Sequence, residues 1–110
     1  MAKFQILLAD QEEDYISLLE LRLLEHFGDV ADIQLISDMG YFQTFFETPQ
    51  KLDLLIINQA LYIPELARHS IKAVIRLSES PVEIQRDAEG CVLYKYTGVK
   101  EFFDELAPYL

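Results

Sequence analysis

The chain predicts an α/β fold: a three-layer, doubly wound parallel sheet of five strands, with helices on both faces. Two observations carry this. Short apolar runs alternate with segments of helical spacing from one end of the chain to the other. Several of those runs lack polar alternation, as strands do when both faces of a parallel sheet are covered. Right-handed crossovers then stack the elements in three layers.

The elements follow in order. Lys3–Ala9 (KFQILLA) is a compact apolar run and the first strand. Gln11–Phe27 is a long helical segment, with Gly28 where a helix C-cap belongs. Asp32–Ser37 is the second strand, and Asp38–Glu47 a helix carrying Met39, Phe42 and Phe46 at helical spacing before Pro49. The third strand is Leu52–Ile57, in the run Asp53-Leu-Leu-Ile-Ile-Asn58. A short helix starts at Ile63-Pro64-Glu65, with proline in the tolerated first turn. Lys72–Leu77 is the fourth strand, and Cys91–Tyr94 the fifth. Between them Ser80–Gly90 is polar and poorly patterned, so any helix there is short or absent. Val99–Leu110 is a last helix, with Val99, Phe102, Phe103, Leu106 and Leu110 on one face.

Composition bounds the function. The 110 residues suffice for one domain, 1–110, with one core. Half of them are apolar (51%), which excludes disorder. A net charge of −10 argues against nucleic-acid backbones and anionic lipid surfaces, and favours a basic protein partner. A single cysteine, Cys91, allows no internal disulfide and fits a reducing, cytoplasmic setting. No apolar stretch approaches the ~20 residues of a membrane span, and no signal-peptide pattern opens the chain. His26 and His69 lack metal-ligand spacing, and no glycine-rich phosphate loop or Ser-His-Asp arrangement is present, so no metal and no cofactor is expected. A flavin would need a phosphate-binding loop after strand one, where Asp10-Gln-Glu-Glu-Asp14 repels phosphate instead.

Four strand ends carry polar side chains: Asp10, Asn58, Ser78 and Lys95. In a doubly wound sheet they converge on the rim at the carboxyl ends of the strands, where ligands bind. An acid, a hydroxyl and an amine at separate strand ends resemble the receiver domain of two-component response regulators, the CheY-like (flavodoxin-like) fold. The resemblance covers the whole chain and implies the strand order 2-1-3-4-5. In that family an acidic pair after strand one binds Mg²⁺, and an Asp ending strand three accepts a phosphoryl group. A Ser or Thr and a Lys at the next two strand ends contact the phosphate.

Asp10, Ser78 and Lys95 match that pattern, while other positions depart from it. Gln11 stands in place of the second acid, followed by Glu12 and Glu13; Asn58 replaces the phospho-acceptor; Val92 holds the aromatic switch position; Tyr96 follows the lysine where proline is usual. The segments Asn58–Ser78 and Ser78–Lys95 are shorter than the family's, so helices three and four should be reduced. A neutral amide is no nucleophile toward phosphorus. The expected role is therefore a non-phosphorylatable protein-interaction, dimerisation or localisation module. The other reading is a true receiver switch in two-component phosphorelay signalling.

A narrower resemblance rests on DLLIINQALY (Asp53–Tyr62) and VLYKYTGVKEFFDEL (Val92–Leu106). These phrases are similar to the atypical receiver at the N-terminus of TadZ/CpaE-type pilus-assembly ATPases. That resemblance implies a MinD/ParA-like P-loop ATPase beyond Leu110 and a part in placing a pilus or secretion machine.

One surface stands apart from the rim. On a helical wheel Ile16, Leu19, Leu23 and Phe27 form the core side of the first helix, leaving Leu18 and Leu21 opposite and Leu24 at the flank. Exposed leucines grouped on a charged face mark a contact surface. Tyr41 and Phe45 of the second helix are expected to extend this patch, through which the protein binds a partner or itself.

Overall fold

The computed structural model describes residues 3–88 and 90–109. It is an α/β protein with a mostly parallel central sheet of six strands: β1 (Phe4–Ala9), β2 (Ala31–Ile36), β3 (Lys51–Asn58), β4 (Ser70–Ser78), β5 (Gln85–Arg86) and β6 (Gly90–Tyr94). Their order is β2-β1-β3-β4-β6-β5. All pairings are parallel except the last, where Gln85 and Arg86 run antiparallel against Val92 and Cys91.

The expected count of five strands is thus corrected to six. The extra strand comes from the polar Ser80–Gly90 stretch, which folds out and back as a hairpin arm onto the sheet edge. Gly90 makes that return possible. A Cβ on it would lie 1.8 Å from the Val74 carbonyl oxygen, so only glycine lets β6 start this close to β4.

The expected reduction of the third and fourth helices goes as far as it can among the described residues. Between β3 and β4 the chain makes only 3₁₀ turns, Gln59–Leu61 and Pro64–Arg68, and between β4 and β6 it makes the hairpin arm with no helix. The α-helices are α1 (Glu13–Phe27), α2 (Met39–Phe45) and α3 (Val99–Leu106). Helix α1 starts two residues later than Gln11 because the Asp10 carboxylate accepts the Glu12 N–H at 2.8 Å and turns the chain first. Gly28 ends it in right-handed geometry (φ −58°), its N–H donating to Leu24 O; a Cβ there would meet that oxygen at 2.5 Å. Asp38 caps α2 by accepting the Gly40 and Tyr41 N–H groups at 2.7 and 3.1 Å. Helix α3 gives way to a 3₁₀ turn over Ala107–Tyr109 as the chain reaches Pro108. Leu110 and the side chain of Val99, both expected on its apolar face, lie outside the described residues.

The sheet is buried on both faces. Ile6, Leu8, Leu54, Ile56, Ile75, Leu77, Cys91 and Leu93 point to one side, under Ile16 and Leu23 of α1 and Phe102 and Leu106 of α3. Leu7, Ala9, Leu55, Ile57 and Val74 point to the other, under Phe42 of α2 and Leu66 of the second 3₁₀ turn. This two-sided burial is why the strands read as continuous apolar runs. The parallel pairing of β1, β2, β3, β4 and β6 aims their carboxyl ends at one rim.

Candidate functional site

The rim gathers the polar strand ends that the sequence singles out. Asp10, Asn58, Ser78 and Lys95 are the buried polar and charged residues among those described, and Lys95 and Asp10 are each 1% exposed. Lys95 Nζ donates to both Asp10 oxygens, at 3.0 and 3.2 Å, and to Glu79 Oε1 at 3.3 Å; Glu12 Oε1 lies 3.6 Å away. Asn58 Nδ2 donates to Asp10 Oδ2 at 3.1 Å and to Glu79 Oε1 at 2.6 Å. Its Oδ1 accepts the Ala60 N–H at 2.9 Å and so caps the first 3₁₀ turn.

Two rings close over the lysine. Its ammonium lies 4.6 Å from the Tyr15 ring centroid and 5.4 Å from that of Tyr96, within cation–π range. The Tyr15 hydroxyl donates to the Lys95 carbonyl at 2.6 Å, and the Tyr96 hydroxyl to Glu12 Oε1 at 2.5 Å. Every buried side-chain nitrogen and oxygen among the described residues has a hydrogen-bond partner.

The electrostatics follow from this packing. Burial opposes the charged form of Lys95, but the hydrogen bonds and charges of Asp10 and Glu79 outweigh it and hold the ammonium above the usual lysine range. Tyr15 is pushed well above the usual phenol range, by burial first and then by the Asp10 charge. The hydrogen bond to Glu12, more than burial, raises Tyr96.

Ser78 is turned away from this network. Its hydroxyl donates to Ser80 O at 2.8 Å and accepts the Ser80 N–H at 3.2 Å, which closes the turn after β4. Gln11 is exposed and lines, with Asp10, Glu12, Asn58 and Glu79, an open cleft of about 310 Å³ above the rim. Val92 is buried in β6, paired with Arg76 and Gln85, and does not reach the rim. Glu79 and Tyr15 belong to the site without having been singled out. The signal for Glu79 was its place directly after Ser78, where a strand end delivers a second side chain to the same rim.

The histidines serve structure. His26 Nδ1 lies 3.0 Å from Arg22 O with its ring on Phe103, and His69 Nδ1 accepts the Gln50 N–H at 3.0 Å. Among the described residues no three His, Cys, Asp or Glu side chains are grouped as metal ligands require, and no helix is long and apolar enough to cross a membrane.

The leucines of α1 stand out from the body: Leu18, Leu21 and Leu24 are 55%, 51% and 45% exposed. Leu18 forms the lip of a small apolar pocket, about 80 Å³, with Tyr15, Leu19, Phe102 and Phe103. The shared patch with α2 is corrected. Helix α1 packs on one face of the sheet and α2 on the other, so the sheet separates Tyr41 and Phe45 from the leucines. Phe45 is half-buried against Phe46, with ring centroids 5.0 Å apart, and Tyr41 alone of the two is exposed. Compared with known families and with curated proteins, the chain matches none.

Proposed function

We propose that this protein is a receiver-like recognition module of the CheY-like type that no longer turns over phosphate, working by binding a protein partner or a second copy of itself. The observation that carries the reading is Asn58. The amide ends β3, and both its donated hydrogen bonds go to carboxylates of the rim. The position where the resembled family carries a phospho-acceptor thus holds a group with no nucleophilic oxygen anion, already committed to its neighbours. A further support is the succession of the five parallel strands, β2-β1-β3-β4-β6, which puts Asp10, Asn58, Ser78 and Lys95 on one rim once the two-residue edge strand is set aside.

The contact surface in this reading is the α1 face around Leu18, Leu21 and Leu24. The setting is the cytoplasm, and the module precedes a P-loop ATPase of the pilus-assembly kind in one polypeptide. The reading frame past Leu110 tests that last point directly, through presence or absence of a glycine-rich phosphate loop.

The rim is tested by amide spectra recorded with beryllofluoride and Mg²⁺, and separately with acetyl phosphate. Unchanged resonances at Asp10, Asn58, Ser78 and Lys95 are expected. A shift centred there means a phosphorelay switch and sinks the proposal. Sedimentation at ~10–100 µM, comparing wild type with Leu18→Glu/Leu21→Glu, reads self-association through α1.

A further inference from the structure

A receiver-like rim carries an acidic pocket whose charge something must balance. Here the balance comes from the chain itself. The Lys95 ammonium sits with Asp10 at 3.0 and 3.2 Å, Glu79 at 3.3 Å and Glu12 at 3.6 Å, so one point in space is shared by three carboxylates. Its side chain is wholly buried, and two tyrosine rings roof it at 4.6 and 5.4 Å. Asn58 completes the enclosure by bridging Asp10 to Glu79.

We propose that Lys95 is the resident cation of this rim: its ammonium occupies the acidic socket in the manner of a bound ion, excludes free cations from it and holds the rim in a single state. The inference rests on the functional reading above and deepens it by assigning the site its regulation, which is insensitivity to divalent ions.

Three features of the geometry favour an ammonium over a metal in that place. The oxygens stand at hydrogen-bond distance, about 1 Å too far for the 2.0–2.1 Å shell of Mg²⁺. One of the enclosing donors, Asn58 Nδ2, points N–H groups at the carboxylates and so uses lone pairs a metal would need. The aromatic roof also suits a cation with an organic stem, since ring faces attract an ammonium yet offer a hydrated metal no oxygen.

The test uses the whole chain. Lys95→Ala removes three methylenes and the ammonium, a piece the size of propylammonium. Thermal unfolding of wild type and variant is followed in propylammonium, tetramethylammonium and sodium chlorides at equal ionic strength. Propylammonium should restore at least half of the melting temperature the variant loses, and leave wild type unmoved. Tetramethylammonium, which has no N–H to donate, should match sodium. Equal effects of all three salts on the variant overturn the proposal. Wild-type amide spectra with Mg²⁺ alone, free of any phosphoryl mimic, provide a second reading that needs no variant. Unmoved signals at Asp10, Asn58 and Glu79 through ~20 mM agree with a filled socket, and a saturable shift at those residues refutes it. A response confined to beryllofluoride would instead undo the functional reading and the single state of the rim, and leave the exclusion of free cations standing.

Discussion

Replacing Asn58 by Asp puts an acid where a phospho-acceptor would need one, and the structure says what it costs. Two hydrogen bonds donated by Asn58 Nδ2 to carboxylates are lost. A hydrogen bond to a buried charged group is worth about 1.5–3 kcal/mol. The Asp10 bond deserves that figure, since Asn58 and Asp10 are 6% and 1% exposed. The Glu79 bond deserves little of it, since that side chain is 59% exposed and screened.

A new carboxylate also faces Asp10 at 3.1 Å, the distance the amide now spans. At an effective dielectric constant of about 20 this repulsion is roughly 5 kcal/mol. Proton uptake caps it: holding an Asp protonated at pH 7 costs about 4 kcal/mol, from three units at 1.36 kcal/mol each. Lys95 offsets part of the remainder. The net expectation is a loss of about 3–5 kcal/mol at pH 7, or roughly 10–20 °C in melting temperature for a domain of this size.

The sign with pH follows from linkage. The new carboxyl has its folded pKa raised above the unfolded value of about 3.9, so the variant's shortfall is smallest below that value and grows as pH rises toward the folded pKa. Urea unfolding of both proteins at pH 5 and pH 7 measures this, and the deficit should shrink by about 2–3 kcal/mol at the lower pH. A variant within about 1 kcal/mol of wild type at pH 7, with no pH dependence, would show that the rim accommodates a second acid and that Asn58 is not held there by its neighbours.

Other outcomes are as definite. Gly90→Ala should cost more than about 2 kcal/mol and loosen β6, because its Cβ would sit 1.8 Å from Val74 O; urea midpoints and amide exchange of β6 check it. Lys95 and Tyr15 both have folded pKa values raised above their ordinary ones, so their contribution is intact below about pH 10 and fades as pH climbs through the folded values. Tyr15→Phe should therefore flatten the alkaline limb of a stability-versus-pH curve, and an unchanged limb would count against the burial of that phenol. Burial, ahead of its other neighbours, pushes the Cys91 thiol up. Its labelling by a disulfide reagent at pH 8 should wait on unfolding, with native protein reacting at least ~100-fold more slowly than a free thiol.

The sequence made the rim legible because burial on both sheet faces leaves apolar runs whose ends are conspicuous. LLIIN and AVIRLS each close on a polar residue, and the fold puts those residues together. Glu79 escaped notice because it follows a strand end that already had a polar candidate. The hairpin arm escaped because Pro81, Val82 and Ile84 are exposed, so no buried face imposes a pattern on them. Helix periodicity located the outward leucines of α1 but could not say which side of the sheet α2 would cover. That choice depends on crossover geometry, not on the spacing of Phe42 and Phe46. Gln11 and Glu12 read as helix by composition, yet a single side-chain acceptor, Asp10, diverts them.

The two faces of the sheet are unequally roofed. Fifteen residues of α1 and eight of α3 cover one side, while a seven-residue helix and 3₁₀ turns cover the other. Isolated single-turn elements hold their hydrogen bonds poorly. Breathing of the native protein is thus directional. Solvent deuterium should reach the amides of Glu65–Arg68 through small excursions, whereas those of β3 and β4 at the centre of the sheet exchange only when the whole molecule comes apart.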